Sequence, residues 1–360
     1  MALLLLSLTA SFFAVGAAFA TPRRRNSRSE PTPQCRCVPL NLCADNDAAV
    51  NGKGLLDARI RNEICQNYFE VCCENPIGEI NLPNQSIFRG CGYQNTTDVR
   101  AWITSESSAK FGELPWSVVI LMKDTPDRII YKCGGSLIHP QVVITAAHCV
   151  PGMDPKYLMV RAGEWNIMSQ DEPLPHQDRT VQEILRHPHY HQVSLKNDIA
   201  LVFLSEPMGL RDNVGLVCLA PANFQLESAR CLASGWGGNS FRKGDHSTIM
   251  KKVELPLVPR GRCLDALRAT RLGPFYNLDK SFVCAGGERN KDTCKGDGGS
   301  PLVCPIPGRE DRFFQMGIVS WGIGCGESGT PGVYVNVPLY TDWIDRQLFA
   351  RNFDTTFYKY

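Results

Sequence analysis

Short apolar runs rich in β-branched and aromatic residues, punctuated by Gly and Pro, dominate the chain beyond residue 91. They are Trp116 to Met122, Gln141 to Ala146, Ile199 to Leu204, Lys252 to Leu257, Met316 to Trp321 and Gly332 to Val337. Runs of this length and spacing predict an all-β barrel or sandwich. Only the tail departs from this pattern: Tyr340, Trp343, Ile344 and Leu348 fall at offsets of three, four and eight, which places them on one face of a helix. The first twenty residues form a third pattern, uncharged from Met1 to Ala20, with Leu3 to Leu6 followed by Phe12, Phe13 and Ala14 and closed by Ala18-Phe19-Ala20. An apolar run ending in small residues predicts a signal peptide over 1–20. An uncleaved anchor is the alternative, because a run of roughly 20 apolar residues can span a bilayer. No other segment is apolar enough to do so, and no membrane association is expected beyond the leader.

Composition narrows the classes of function. The 360 residues are 43% hydrophobic, enough for a sizeable core, and 38 Lys plus Arg against 36 Asp plus Glu leave a net charge of +2. Nucleic-acid affinity comes largely from neutralising phosphates, so so small a charge argues against such a partner. Sixteen cysteines, an even number, suit an oxidising compartment.

Those cysteines divide the chain. Thr21 to Gln34 carries Arg23, Arg24, Arg25 and Arg28 with Pro22, Pro31 and Pro33 and has no apolar periodicity, so it reads as a solvated basic linker. Cysteines 35, 37, 43, 65, 72 and 73 then crowd into 35–73, too short a stretch to hold a core without covalent staples. Spacing alone leaves all fifteen pairings open. Adjacent Cys72 and Cys73 point different ways in an extended backbone and should bond to different parts of the module. A zinc site competes, but there is no nearby His. Beyond lies a second linker with Pro76 and Pro83 and the glycan acceptor sequon at Asn84; another begins at Asn95.

Three local sequences carry the chemistry: Thr145-Ala146-Ala147-His148-Cys149, Asn197-Asp198-Ile199-Ala200-Leu201 and Gly296-Asp297-Gly298-Gly299-Ser300-Pro301. With Pro115-Trp116, Cys133-Gly134-Gly135-Ser136-Leu137, Ser234-Gly235-Trp236-Gly237 and Ser320-Trp321-Gly322, they resemble the chymotrypsin-like serine proteases. That chemistry needs a hydroxyl nucleophile, an imidazole to take its proton and a carboxylate to hold the imidazole. His148 and Asp198 match the last two, while Gly298 stands where the serine belongs and Ser300 where the family has a second following glycine. Cys294, Asp297, Pro301 and Cys304 keep family spacing, so a register slip that brought Ser300 to His148 is not expected. Removing the nucleophile from a subtilisin costs about 2 × 10⁶ in turnover, or roughly 8 to 9 kcal/mol. From a typical turnover near 10 per second, that leaves roughly one event every two days. The resemblance therefore implies a pseudoprotease.

Further expectations follow from the same resemblance. Asp292, six residues before Gly298, matches the acidic floor of a trypsin-like specificity pocket, with Gly322 and Gly332 as the glycines that keep it open; Gly296 and Gly298 match the oxyanion hole. The activation site is altered, because Trp102 precedes the matching Ile103, no basic residue stands there, and Arg100 lies two residues too early. Implied disulfides are Cys133-Cys149, Cys231-Cys304, Cys263-Cys284, Cys294-Cys325 and Cys91-Cys218, the last tying the linker to the domain body. The order of a six-cysteine module, linker and protease-like domain, with Cys35-x-Cys37, Cys43 and Glu70-Val71-Cys72-Cys73, resembles the arthropod CLIP-domain serine proteases. It is most similar to their non-catalytic homologues of the prophenoloxidase-activating-factor type. For the module, that family implies Cys35-Cys72, Cys37-Cys65 and Cys43-Cys73.

The expected architecture is thus mostly β, a chymotrypsin-like double β-barrel with a C-terminal helix preceded by a small disulfide-rich CLIP module. Its parts are signal peptide 1–20, basic linker 21–34, CLIP domain 35–73, linker 74–102, protease-homologue domain 103–350 and tail 351–360. The family implies a secreted haemolymph cofactor of melanisation that acts on prophenoloxidase or phenoloxidase, is switched by cleavage from an upstream trypsin-like protease, and can form an oligomer after cleavage. Binding to a microbial surface through the basic segment, or weak hydrolysis through Ser300, are the competing functions. Glu164, Asn166 and Asp171, with Glu172 and Asp178 nearby, offer oxygen ligands suited to calcium, against an ordinary acidic loop. His187, His189 and His191 raise a metal site, but His-Pro-x-Tyr is common at this point in the family.

Overall fold

The computed structural model describes residues 36–39, 70–73, 89–95, 107–125, 128–169, 172–237, 247–294 and 296–360. The leader, the basic linker, Cys35, Cys43, Cys65, Asn84, Arg100, Trp102, Ile103 and Asp171 lie outside them. Two compact units are distinguished, 1–84 and 85–360. In the first, β1 (Arg36–Pro39) pairs antiparallel with β2 (Glu70–Cys73), with Cys37 opposite Cys72 and Arg36 opposite Cys73.

The second unit contains two barrels. The first closes in the order β3 (Ser117–Thr125), β4 (Arg128–His139), β5 (Val142–Thr145), β8 (Ala200–Leu204), β7 (Gln177–Arg186) and β6 (Leu158–Ala162). The second sheet runs β13 (Pro301–Ile306), β10 (Arg230–Gly235), β11 (Lys251–Val258), β12 (Phe282–Gly286), β15 (Pro331–Asn336), β14 (Arg309–Trp321) and β9 (Cys218–Leu219). A β13 to β14 pairing closes its first six strands on themselves, and β9 adds to β14 in parallel. Closure leaves few free edges, which suits a chain of short strands. Buried polar contacts join the barrels: the Ser117 and Ser234 hydroxyls lie 3.0 Å apart, and Ser136 Oγ donates to Gln315 Oε1 at 2.6 Å. Such groups must be paired once water is excluded, and these pairs set the register of one barrel on the other. Among the described residues, disulfides link Cys91 to Cys218, Cys133 to Cys149, Cys231 to Cys304, Cys263 to Cys284 and Cys294 to Cys325.

Two features differ from the sequence expectation. The tail helix, Thr341–Phe349, is joined by a second helix, Arg260–Arg268, which follows Pro259 and buries Cys263 and Leu267. The helix spans only nine residues and one of its two buried positions is a cysteine that reads as a disulfide partner, so its period does not stand out in the sequence. The last ten residues are also more than an appendage. Tyr358 is fully buried and donates its hydroxyl to Asp345, while Phe353 stacks on Phe203. Phe353 and Phe357 pack edgewise on His139 with ring centroids 5.0 and 4.8 Å away.

His139 Nδ1 accepts the Gln141 N–H, and burial pulls the imidazole down to about 4 against an opposing pull from Asp354. The unfolded chain therefore binds this proton near pH 6.5 and the folded one only near 4, so the contribution is intact above pH 6.5 and is lost as pH falls through that window. We expect the stability advantage of wild type over His139→Gln to shrink between pH 6.5 and 4, at most by about 1.4 kcal/mol per pH unit. Urea unfolding at stepped pH tests this, and a pH-independent difference would refute it.

Candidate functional site

The site forms where the end of β5, the turn before β8 and the loop before β13 meet. His148 lies in the 3-10 turn Ala147–Cys149, anchored to β4 through the Cys133–Cys149 bond. Asp198 is fully buried. It accepts the His148 backbone N–H on Oδ1 at 2.8 Å, and on Oδ2 it meets both His148 Nδ1 and the Ser320 hydroxyl at 2.7 Å. A buried carboxylate is costly unless donors surround it, and these three satisfy it. They also fix the ring, because with Nδ1 bound to Asp198 the nitrogen that faces the cleft is Nε2. Preceding Asn197 takes a left-handed conformation, φ 54°, held by the Tyr340 hydroxyl on Oδ1 and by its own Nδ2 on His189 O.

Opposite this ring is Gly298. A Cβ built there would lie 2.8 Å from His148 Nε2, closer than real side chains approach, so at the position that carries a serine in the resembled family the backbone stands directly against the imidazole and leaves no room for a side chain unless something shifts. The loop around it is tightly tied. Gly134 N donates to Gly298 O, Gly299 N to Val319 O and Ser300 N to Asp297 O, and the Tyr131 hydroxyl donates to Gly296 O at 2.8 Å. Gly299 must be glycine, with φ 81° and Thr145 Oγ1 and Gly134 O inside the space of any Cβ. Ser300 is buried and turned elsewhere: its Oγ occupies the space that a side chain at Gly134 would take and lies 3.1 Å from a Cβ at Gly235.

Asp297 accepts the N–H of Gly237 on Oδ1 and of Cys294 on Oδ2. Asp292 accepts the Gly326 N–H on Oδ2, whereas Oδ1 is buried with no hydrogen-bond partner. Burial pushes this carboxyl up to about 6; the Gly326 and Thr293 amides pull it back, and the charge of Asp297 adds to the rise. Gly332 is required beside it, since a Cβ would come within 3.0 Å of Oδ1, while at Gly322 a Cβ would touch only Gly324 O at 3.6 Å. Both carboxylates also line a cavity of about 1110 Å³ with Gly235, Gly237, Glu113 and Lys252; its wall does not include His148 or Gly298.

The acidic loop is assembled differently from the calcium set read in the sequence. Glu164 is buried against Arg161 and His176, and Arg161 also grips Asp178 with two nitrogens. Glu172 accepts the Trp165 and Asn166 amides and is pushed up to about 7, chiefly by burial, with the Glu164 charge adding to the rise. Asn166 turns its side-chain oxygen to Met168 N, so the groups that converge are Glu164, Glu172 and His176 rather than Glu164 and Asn166. The guanidinium of Arg161 already supplies Glu164 with a cation. Of the three histidines, His187 and His189 have ring centroids 5.7 Å apart and His187 Nδ1 accepts the His189 N–H while its ring packs on Tyr340 and Trp343, whereas His191 accepts from Ser194. Asn95, the acceptor within the described residues, donates its side-chain amide to Asp212 O.

Reasoning from sequence missed Tyr131, whose run Ile129-Ile130-Tyr131 signals only a strand, and it assigned no role to the Ser320 hydroxyl. A test of the site's geometry is Gly298→Ser. The new Cβ would press on a ring that Asp198 holds at Nδ1 while also accepting the His148 backbone N–H, and Ser300 stays where the family has glycine. We expect no gain in arginine-ester hydrolysis, and a rate approaching an active protease would show that the hydroxyl was the sole defect.

The comparisons with known proteins agree with one another. The family profile described as Trypsin matches residues 103–344, and that described as Serine protease Clip domain PPAF-2 matches residues 24–74. Phenoloxidase-activating factor 2 of Galleria mellonella is 50% identical over 299 residues, covering 80% of this chain and 98% of that protein. Inactive CLIP domain-containing serine protease A3 of Aedes aegypti is 39% identical over 325 residues, 86% of this chain and 66% of that protein. Inactive CLIP domain-containing serine protease A28 of Anopheles gambiae is 37% identical over 312 residues, with 81% and 80% covered.

Proposed function

The chain belongs to the trypsin family, in the branch that carries an amino-terminal CLIP domain, and from that premise we propose that it is a secreted pseudoprotease acting as a cofactor in prophenoloxidase activation. The observation that carries this reading is Gly298 beneath His148 Nε2: base and orienting carboxylate remain, and there is nothing for them to deprotonate. Support also comes from relatives named as phenoloxidase-activating factors and as inactive CLIP-domain proteases. Secretion is the reading of the 1–20 leader, the disulfides and the two sequons. Without turnover, such a protein works by holding partners: prophenoloxidase or phenoloxidase on one side and the trypsin-like protease that activates it on the other.

The Cys91–Cys218 bond gives cleavage two distinct consequences. A cut after Arg100 leaves the CLIP domain tethered and a cut after Arg89 frees it, whereas a cut after Arg59 or Arg61 falls inside the module, where the module's own disulfides decide whether the pieces part. Arg89 is exposed; the other three lie outside the described residues. We expect fragments from an Arg100 cut to separate only on reduction. Mapping that finds every cut inside the barrels would refute a switch of this kind.

The deciding experiment adds purified cleaved protein to prophenoloxidase and its activating protease and reads phenoloxidase output. A rise that depends on the cleaved form, with no hydrolysis of arginine esters by the protein alone, is expected. Unchanged output, together with binding to microbial polysaccharide, would favour surface recognition instead.

A further inference from the structure

Among the described residues, the two most exposed large apolar side chains are Phe275, 97% accessible, and Val193, 90% accessible. A lone apolar group on a surface needs no explanation, but these two stand on loops that are tied to each other. Leu195 from one loop and Leu272 and Tyr276 from the other pack against the same small core of Cys263, Leu267, Leu278 and Phe282. Lys196 Nζ, on the first loop, lies 3.3 Å from Asp279 Oδ2 on the second. Neither Phe275 nor Val193 lines the cavity beside Asp292 and Asp297.

Both loops are held in shape by their own hydrogen bonds. Gly273 N donates to Thr270 O and Tyr276 N to Gly273 O, while the Thr270 hydroxyl donates to Leu267 O. Arg268 Nε donates to Tyr276 O at 2.9 Å, and the Arg260 guanidinium reaches the carbonyls of Leu278 and Asp279. In the other loop His191 N donates to Lys196 O, and His191 Nδ1 accepts the Ser194 N–H. Leu195 sits at φ 54°, a left-handed conformation that a bulky side chain adopts only where its surroundings impose it, and such strain clusters at binding sites. Side chains carried on loops already ordered in this way lose less freedom on association, which removes part of its cost.

The charge around Phe275 is one-sided. Residues 260–280 hold Arg260, Arg262, Arg268, Arg271 and Lys280 against Asp265 and Asp279, in a chain whose whole net charge is +2. Asp279 is taken up by Lys196 and by the Ser281 N–H. Arg271 is exposed and forms no ion pair among the described residues, and Arg268 brings its guanidinium to the carbonyl of the residue after Phe275. An aromatic side chain beside arginine is the pairing that anchors protein interfaces.

We propose that the outward faces of these two loops form a docking surface, with Phe275 as its anchor, for a folded protein that offers an apolar pocket bordered by carboxylates, and that this protein is prophenoloxidase. The choice of partner rests on the function proposed above. A trypsin-like protease is the poorer occupant, because the exposed Arg271 is itself a residue that such an enzyme cuts after. A sulfated polysaccharide would match the cations but offers no apolar pocket for the phenyl ring.

Surface plasmon resonance with the cleaved protein immobilised and prophenoloxidase in solution tests this, with phenoloxidase output read on the same samples. Phe275→Ser should weaken binding at least about tenfold, the scale of losing an anchor side chain, while Phe275→Trp keeps it. Arg271→Glu should slow association and reduce its dependence on salt, as reversal of a charge at an interface rim does. Both side chains are exposed, so melting temperatures should match that of the wild type. Wild-type affinity in Phe275→Ser overturns the proposal and leaves the cofactor reading standing. So does weakening toward the activating protease instead of prophenoloxidase. Heparin binding that Arg271→Glu removes, with prophenoloxidase binding untouched by Phe275→Ser, marks a polyanion surface and overturns it too. Absence of wild-type binding also overturns the proposal; if phenoloxidase output then stays at its level without the protein, the cofactor reading falls with it.

Discussion

A completely buried carboxylate, Asp198, organises the whole site. Three donors converge on it: the His148 backbone, the His148 ring and the Ser320 hydroxyl. Breaking such a set leaves a charge in the interior, so the arrangement persists for reasons of stability even where no reaction depends on it. Its consequence reaches outward from one element to the next. The carboxylate fixes the ring, the ring fixes which nitrogen faces the cleft, and β14, which carries Ser320, sits against the loop whose Gly298 meets that nitrogen. The site is thus built from both barrels, and the buried serine and glutamine contacts between them keep its halves in register.

Much of this was legible from residue order, and what was not has physical reasons. Strands announced themselves because each is a short apolar run bounded by turn residues, a pattern that predicts a barrel or sandwich, while the double barrel was implied by the resemblance to the chymotrypsin-like proteases. The helix Arg260–Arg268 did not, since it buries only Cys263 and Leu267 and exposes Arg260 and Arg262 in its first turn. Around the site, motif residues could be named in advance, but the partners that hold them come from distant strands. Tyr131 reaches Gly296 across 165 positions, a contact that no local pattern encodes. The acidic loop shows the same limit: spacing named Glu164, Asn166, Asp171, Glu172 and Asp178, while folding brings Glu164 and Glu172 to His176 and Arg161, which spacing did not name, and turns Asn166 toward Met168 N. In the tail 351–360 the aromatics have no helical or strand period, yet Phe353 and Phe357 pack over His139 at the end of the first barrel.

On the proposed reading, glycine at 298 leaves the pairing of His148 with Asp198 standing while the nucleophile is missing, a loss worth roughly 8 to 9 kcal/mol of transition-state stabilisation judged from subtilisin.

The central claim is that no hydroxyl in this cleft is presented to His148. Its most direct test is exposure of the cleaved full-length protein to a serine-directed phosphonate, followed by intact-mass measurement. The account predicts an unchanged mass. Stoichiometric labelling that maps to Ser300 would contradict it.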